Sequence, residues 1–184
     1  MAESGLRDYP LARRKAASRL GISDEASLPN HREIEEALRQ YQRLFAGDAH
    51  ATELRTRREA ALRALEFFAP FSPRLVGPVL DGTADAHSPV QLHLHADDTD
   101  AVARFLDEHG IPAQASSRRL RMDRERNIEL PAWSFSAEDL AFDLVVLPQT
   151  ALHQPPLSRL DDKPMQRAST TQLAQLLAER EPTA

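Results

Sequence analysis

The apolar residues change from a helical spacing to a strand spacing at Pro70, and this change constrains the fold more than any other feature of the chain. Up to that point, two series recur at helical spacing, as on one face of a helix. They are Ile34, Leu38, Tyr41 and Phe45, ending at Gly47, and then Leu54, Ala61, Leu65 and Phe68. Together with a short helix expected between Asp8 and Gly21, they predict a helical region over residues 1–70.

Beyond Pro70 the sequence alternates as strands with one buried face do. The expected elements are strands near 75–76, 90–95, 113–122, 133–136 and 139–147, a helix closing at Gly110, a proline-rich loop at 148–164, and a last helix behind a capping box of Ser169 and Gln172. This order predicts an α+β fold, a mixed β-sheet with helices on one face, preceded by the helical region. We expect residues 1–70 and 71–184 to form one compact unit.

Composition excludes several classes of function. The 184 residues include 23 basic and 28 acidic side chains, a formal charge of −5, so no overall positive field attracts nucleic acid. No apolar run is long enough to span a membrane, and the first residues lack the apolar segment of a secretory signal. Cysteine is absent, which removes disulfides and thiolate chemistry. These features predict a cytoplasmic protein without a membrane partner.

The strand expected at 90–95 carries polar residues on one face, namely Gln91, His93 and His95. With Asp97, the two histidines form an H-x-H-x-D series whose members are about 6.6–7 Å apart along an ideal strand. Two imidazoles and a carboxylate suit zinc, nickel or iron, so His93, His95 and Asp97 are candidate metal ligands. The alternative is a pair of half-exposed strand histidines that hydrogen-bond to their neighbours.

The segment before this strand contains a spaced set of small residues, Gly77, Gly82, Ala84 and Ser88, followed by the apolar Val90 and Leu92. This pattern resembles the signature of the nucleotidyltransferase superfamily, which includes DNA polymerase beta and the minimal nucleotidyltransferases. That signature runs Gly-Ser, Gly-x-Ala, then Ser-Asp-hydrophobic-Asp-hydrophobic. Pro78 stands where its first serine is expected. The resemblance covers roughly residues 74 to 147 and implies a mixed sheet of the nucleotidyltransferase type.

The resemblance also implies a divalent cation, Mg²⁺ or Mn²⁺, held by carboxylates. Two of the three carboxylate positions are occupied here by Pro89 and Gln91, and Asp143 is the candidate for the third, which is catalytic in the family. Two-metal catalysis needs anionic oxygen ligands, so the centre is expected to be degenerate. Asp143 has a second interpretation, a salt bridge within the sheet, because an unpaired buried carboxylate is costly.

The expected ligand is a nucleotide or another phosphorylated small molecule, bound by Gly77, Gly82, Thr83, Ser88 and Gln91. The loop around Gly82 and Thr83 could offer backbone N–H groups to a triphosphate, or it could be a tight turn that needs glycine. Three basic residues of the later loop could add positive charge near a phosphate or belong to the solvated surface; they are Arg159, Lys163 and Arg167.

Three functions therefore stay open. The first is a catalytically degenerate nucleotidyltransferase-fold protein that binds a nucleotide near the loop from Gly77 to Ser88. The second is an active enzyme that transfers NMP to a protein, RNA or small-molecule hydroxyl using Asp143 and non-standard ligands. The third is an interaction module that forms a homodimer or binds a protein through an apolar stripe at residues 34–68.

Overall fold

The computed structural model describes residues 32–33, 36–40, 47–123, 125–158 and 161–179, and it divides the chain into two compact units, Met1–Ala51 and Thr52–Ala184. The short helix predicted between Asp8 and Gly21 lies outside the described residues. Residues 36–40 are helical, as the first apolar series predicts for that stretch. No helix among the described ranges is long and apolar enough to cross a membrane.

Helix α1 spans Gly47–Phe67 and carries the second apolar series. Its sequence is rich in alanine, leucine and arginine, which favour helices, and Arg55 pairs with Glu59 one turn away at 2.8 Å. Pro70 cannot continue an α-helix, and the chain passes instead into a 3₁₀ turn at Ala69–Phe71.

Five strands form one mixed sheet in the order β1-β2-β5-β4-β3. Their bounds are β1 Arg74–Val76, β2 Val90–His95, β3 Gln114–Arg121, β4 Asn127–Ala137 and β5 Leu140–Leu147. Strands β2 and β5 run parallel, and the other neighbours are antiparallel. Three more helices lie in the described part of the chain after Pro70, α2 at Pro78–Asp81, α3 at Asp100–Glu108 and α4 at Thr170–Glu179. The chain is an α+β protein, as predicted.

The first face of the sheet forms the main core and receives the helices. Leu92 and Leu144 lie at its centre, fully buried, and pack with Leu65 of α1, Leu106 of α3 and Leu173 of α4. Each such side chain contributes about 1.5–3 kcal/mol to stability by leaving water. The prediction of helices on one face is confirmed.

The helix α1 belongs to this core rather than to a separate helical region. Leu54, Ala61, Leu65 and Phe68 are all buried in it, so the boundary between units falls after Ala51 and not at residue 70. The apolar stripe proposed as a partner surface is therefore already covered over residues 54–68. Its earlier residues Ile34, Tyr41 and Phe45 lie outside the described part of the chain.

The second face of the sheet is partly apolar and partly polar. A smaller cluster, Leu130, Ala132, Val145, Leu147 and Ala151, covers one part of it. The segment after β5 begins with a 3₁₀ helix at Gln149–Leu152 and reaches both edges of the sheet. Leu157 pairs with Arg121 on β3, and Ala168 pairs with Leu75 on β1. This return path positions the residues of the candidate site.

Candidate ligand-binding site

Gln91 and Asp143 lie side by side on the second face, because they are register partners on the parallel strands β2 and β5. Their neighbours Leu92, Phe142 and Leu144 point into the core on the first face. The structure thus brings together the two residues that the resemblance singles out on these strands. Both side chains are half-buried, so a ligand on the second face can reach them.

Two further residues complete the surroundings of Asp143. Ser134 of β4 is its register partner on the other side, and Arg118 of β3 brings Nη2 to 3.7 Å from Asp143 Oδ2. The carboxylate is 21% exposed and the guanidinium 56%. The salt-bridge interpretation of Asp143 is therefore satisfied in the structure, by a pair that water screens.

Gly77, at the end of β1, is in contact range of Gln91. Its φ of 74° and ψ of −157° lie in a region that only glycine adopts readily. A Cβ atom at this position would lie 2.4 Å from Gln91 Oε1, so the glycine leaves room for that amide. Among the described residues of the predicted loop, Gly77 is the one that lies next to a polar side chain of the second face, that of Gln91.

The remaining loop residues take part in the hydrogen bonds of the turn, and their binding of a ligand stays a prediction. The amides of Gly82 and Thr83 both donate to the carbonyl of Pro78, at 2.9 and 3.0 Å, and so are already used within the turn. Thr83 is buried, and Gly82 lies beside Leu54 of α1, on the side of the first face. The tight-turn alternative describes this loop.

Ser88 also takes part in the hydrogen bonds of the loop. Its hydroxyl donates to Asp85 Oδ1 at 2.8 Å and accepts from the Asp85 amide at 2.9 Å. Two buried arginines of α1 hold the loop from the other side. Arg57 donates to the carbonyl of Ala86, and Arg58 donates to two consecutive carbonyls of α2. The glycine and serine spacing therefore reflects the way the turn is built.

The histidines of β2 are more buried than predicted. His93 is 3% exposed and His95 is 0% exposed, whereas half-exposed side chains were expected. They share the second face of the sheet, but Asp97 does not join them. Its carboxylate accepts the amide of Gln149 at 3.0 Å and so begins the 3₁₀ helix. The described ranges contain no group of three His, Cys, Asp or Glu residues arranged to hold a metal.

Two arginines accompany the histidines, and neither was singled out for this position. Arg74 is the register partner of His93, and Arg167 approaches from the segment after β5. Burial, with His95 and Arg167 nearby, lowers the pKa of His93 to about 3. Burial also lowers the pKa of His95 to about 4, against a hydrogen bond to the carbonyl of Ser72 that raises it. Both imidazoles are therefore neutral at pH 7.

This environment does not fit the divalent cations that the sequence suggested. The positive charges of Arg74 and Arg167 beside these rings repel a divalent cation there. At the other end of the face, Asp143 is a single carboxylate already paired with Arg118, and Gln91 is neutral. The two-metal arrangement implied by the resemblance does not fit these residues.

A cavity on the other face of the sheet is apolar. Its volume is about 350 Å³, and its walls include Phe67, Phe68, Phe135 and Phe142. The ion pair of Arg63 with Glu138 lies at its edge and is exposed to solvent. Gln91 and Asp143 do not line this cavity, so it is separate from the candidate site.

Comparison with protein-family models, with curated proteins and with solved structures finds no match to this chain.

Proposed function

We propose that the protein binds a nucleotide or another phosphorylated small molecule on the second face of the sheet, over Gln91 and Asp143, and that it does so without two-metal catalysis. The observation that most supports this function is the register pairing of Gln91 with Asp143, next to Gly77. This grouping supports a nucleotidyltransferase-like arrangement whose metal-binding carboxylates are missing.

The charges of the face support an anionic ligand. Three guanidiniums lie on the second face or at its edge, those of Arg74, Arg118 and Arg167. Asp143 contributes one carboxylate to the same face. Guanidinium groups bind phosphate oxygens through paired N–H donors, which a lysine cannot reproduce. Gln91 adds an amide that can both donate and accept, as recognition of a base or a ribose requires.

The site offers little support for catalysis by metal ions. Magnesium prefers several oxygen ligands in octahedral geometry, and one Arg-paired carboxylate supplies a single anionic ligand. The protein accordingly acts as a binding protein, and a chemical step that depends on two cations is not part of the proposal.

Calorimetric titration of ATP, GTP, CTP and UTP, each with and without Mg²⁺ or Mn²⁺, tests the proposal. We expect binding that needs no metal. The variant Asp143→Asn removes a negative charge beside the ligand, so it should strengthen metal-free binding. Asp139→Asn is the matched control, because Asp139 is exposed on the hairpin turn of the same strand pair. Its φ of 62° is one that asparagine tolerates.

The titration can contradict the proposal in two ways. Absence of binding for all four nucleotides removes the function. Nucleotide affinity that is unchanged in both Asp143→Asn and Gln91→Ala would show that the ligand binds elsewhere than on this face. Binding that requires the cation and is lost in Asp143→Asn would instead favour the active enzyme, and label transfer from the nucleotide would then be measured.

A further inference from the structure

Four basic side chains come together on the second face near the carboxyl end of β2. We call Arg74, His93, His95 and Arg167 the basic cluster. Arg74 and His93 are register partners on β1 and β2. The carbonyl of Ser72 accepts from His95 Nδ1 at 2.8 Å and from Arg74 Nη1 at 3.5 Å, so these two side chains share one acceptor.

Arg167 reaches the cluster from the segment that returns after β5. Its Nη1 and Nη2 donate to the carbonyls of Ala151 and Leu152, at 2.6 and 2.9 Å. Ala168, next to Arg167, pairs with Leu75, next to Arg74, so the fold brings the two arginines near each other at the edge of the sheet. Burial and the nearby charge of Arg74 lower the pKa of Arg167. The fold thus holds two like charges together beside two buried imidazoles.

The cluster has polar groups without partners. Neither Arg74 nor Arg167 forms an ion pair with any carboxylate of the residues that the structure describes. His93 Nδ1 and His95 Nε2 are buried and have no hydrogen-bond partner in the same ranges. Buried polar atoms are nearly always hydrogen-bonded, so these two atoms call for partners that the described residues do not supply.

The hydrogen bond of His95 specifies what that ligand offers. Since Nδ1 donates to the Ser72 carbonyl, Nε2 of the neutral ring is a bare lone pair that needs a donor. Each guanidinium has further N–H groups that can donate to a ligand. A phosphate group with one proton presents several acceptor oxygens and one O–H donor, and it neutralises positive charge.

We propose that the basic cluster is a binding site for a phosphate group, which accepts hydrogen bonds from Arg74 and Arg167 and donates its O–H to His95 Nε2. The site lies about two residue pairs along β2 from the nucleotide site over Gln91 and Asp143, and Arg74 and Arg167 border both sites. Two sources share this chemistry, namely inorganic phosphate and the terminal phosphate of a nucleoside monophosphate.

The first test uses the unaltered protein. Long-range proton–nitrogen NMR spectra resolve the imidazole nitrogens, and inorganic phosphate and AMP are added separately. We expect saturable shifts of His95 Nε2 and His93 Nδ1, whereas His109, exposed and bonded to the Phe105 carbonyl, stays unchanged. Shifts with phosphate assign the free ion, and shifts with AMP alone assign the end of a nucleotide. No shift of either histidine at millimolar concentrations of both probes overturns the proposal.

The second test compares matched arginines. Arg167→Gln removes a guanidinium that donates to the consecutive carbonyls of Ala151 and Leu152. Arg58→Gln removes a guanidinium of α1 that donates in the same way to the carbonyls of Val79 and Leu80. We expect phosphate affinity to fall at least about tenfold in Arg167→Gln and to stay within about twofold in Arg58→Gln. Equal affinities in the two variants overturn the proposal.

Two further variants keep the result interpretable. If circular dichroism shows that Arg167→Gln does not fold, Arg74→Gln on the edge strand β1 replaces it as the variant expected to lose phosphate affinity. Gln91→Ala tests independence from the nucleotide site. It should leave phosphate affinity unchanged while weakening nucleotide binding, so failure of one proposal is distinguishable from failure of the other.

Discussion

Gly77 and Gln91 occupy one shared space, because a Cβ atom on the glycine would lie 2.4 Å from Oε1 of the glutamine. Gly77 follows the last residue of β1, Val76, and Val76 is the register partner of Gln91 on β2. The backbone conformation and the contact favour glycine here for two reasons of unequal weight, because the amide can move and the backbone cannot. One is a φ of 74°, and the other is the position of an amide that faces Asp143.

Gly77→Ala should lower the free energy of unfolding by about 1–3 kcal/mol, since its backbone region is essentially restricted to glycine. The contact itself is cheap to relieve, because Gln91 Oε1 ends a flexible side chain. Gln91→Ala in the same protein should therefore restore only a small part of the loss. Urea denaturation of both single variants and the double variant measures this coupling.

Gly110→Ala is the matched control for that series. Its φ of 64° is also positive, but nothing lies within 4 Å of the added Cβ. We expect a loss of about 1–2 kcal/mol from the backbone alone, with nucleotide affinity unchanged. Full rescue of Gly77→Ala by Gln91→Ala would contradict the argument, since it would make the contact, not the backbone, the reason for the glycine.

Acid should destabilise the protein between pH 6.5 and about 4, because His93 and His95 are buried in their neutral forms. Their folded pKa values of about 3 and about 4 lie below the ordinary 6.5, so the unfolded chain binds protons first as pH falls. Their stabilising effect is complete above pH 6.5 and is lost towards the folded pKa. Each histidine adds a slope of up to about 1.4 kcal/mol per pH unit.

The charges around these rings act in the same direction. Arg74 and Arg167 both oppose a proton on His95, and Arg167 opposes one on His93. Denaturation of His93→Gln at several pH values should show a shallower decline than the wild type. His109→Gln, at an exposed position, should reproduce the wild-type slope. Equal slopes for all three proteins would show that His93 is ionised at no cost in the folded state.

Local patterns in the sequence predicted much of the fold. The alternation at Val90 to His95 and the capping box of Ser169 both follow from residues a few positions apart. Strand β4 was underestimated, because Pro131 lies inside it and proline usually ends a strand. Its pairing with β3 and β5 overrides that preference.

The candidate site was less predictable, because it depends on long-range packing. His93 and His95 are buried, and the segment that follows β5 brings Arg167 back beside β1. No spacing in the sequence signals that Arg74, His93 and Arg167 meet. Arg118 reaches Asp143 from β3, a strand expected from the sequence without a predicted partner. The adjacency of Gln91 and Asp143 was predicted in part, since the resemblance placed both on one sheet.

Ser169→Ala should lower the free energy of unfolding by about 1 kcal/mol through loss of a helix cap. The Ser169 hydroxyl accepts the Gln172 amide at 3.3 Å, and Gln172 Oε1 accepts the Ser169 amide at 2.9 Å. This reciprocal pair starts α4, whose Leu173 is fully buried. Gln175→Ala, on the exposed side of α4, is the control and should change stability by less than about 0.5 kcal/mol. Equal effects in the two variants would contradict a capping role.

Removal of Arg118 should make Asp143 a better ligand for a cation. Nη2 of Arg118 is 3.7 Å from Asp143 Oδ2, and its charge competes with any metal there. The pair is exposed and worth about 0.5–1 kcal/mol, so Arg118→Ala should raise Mn²⁺ affinity only about two- to fivefold. Electron paramagnetic resonance titration of Mn²⁺ measures the free ion directly. Arg119→Ala, on the opposite face of β3, is the control and should leave the affinity unchanged. Tight Mn²⁺ binding by the wild type, lost in Asp143→Asn, would show instead that a metal centre survives without the other two carboxylates.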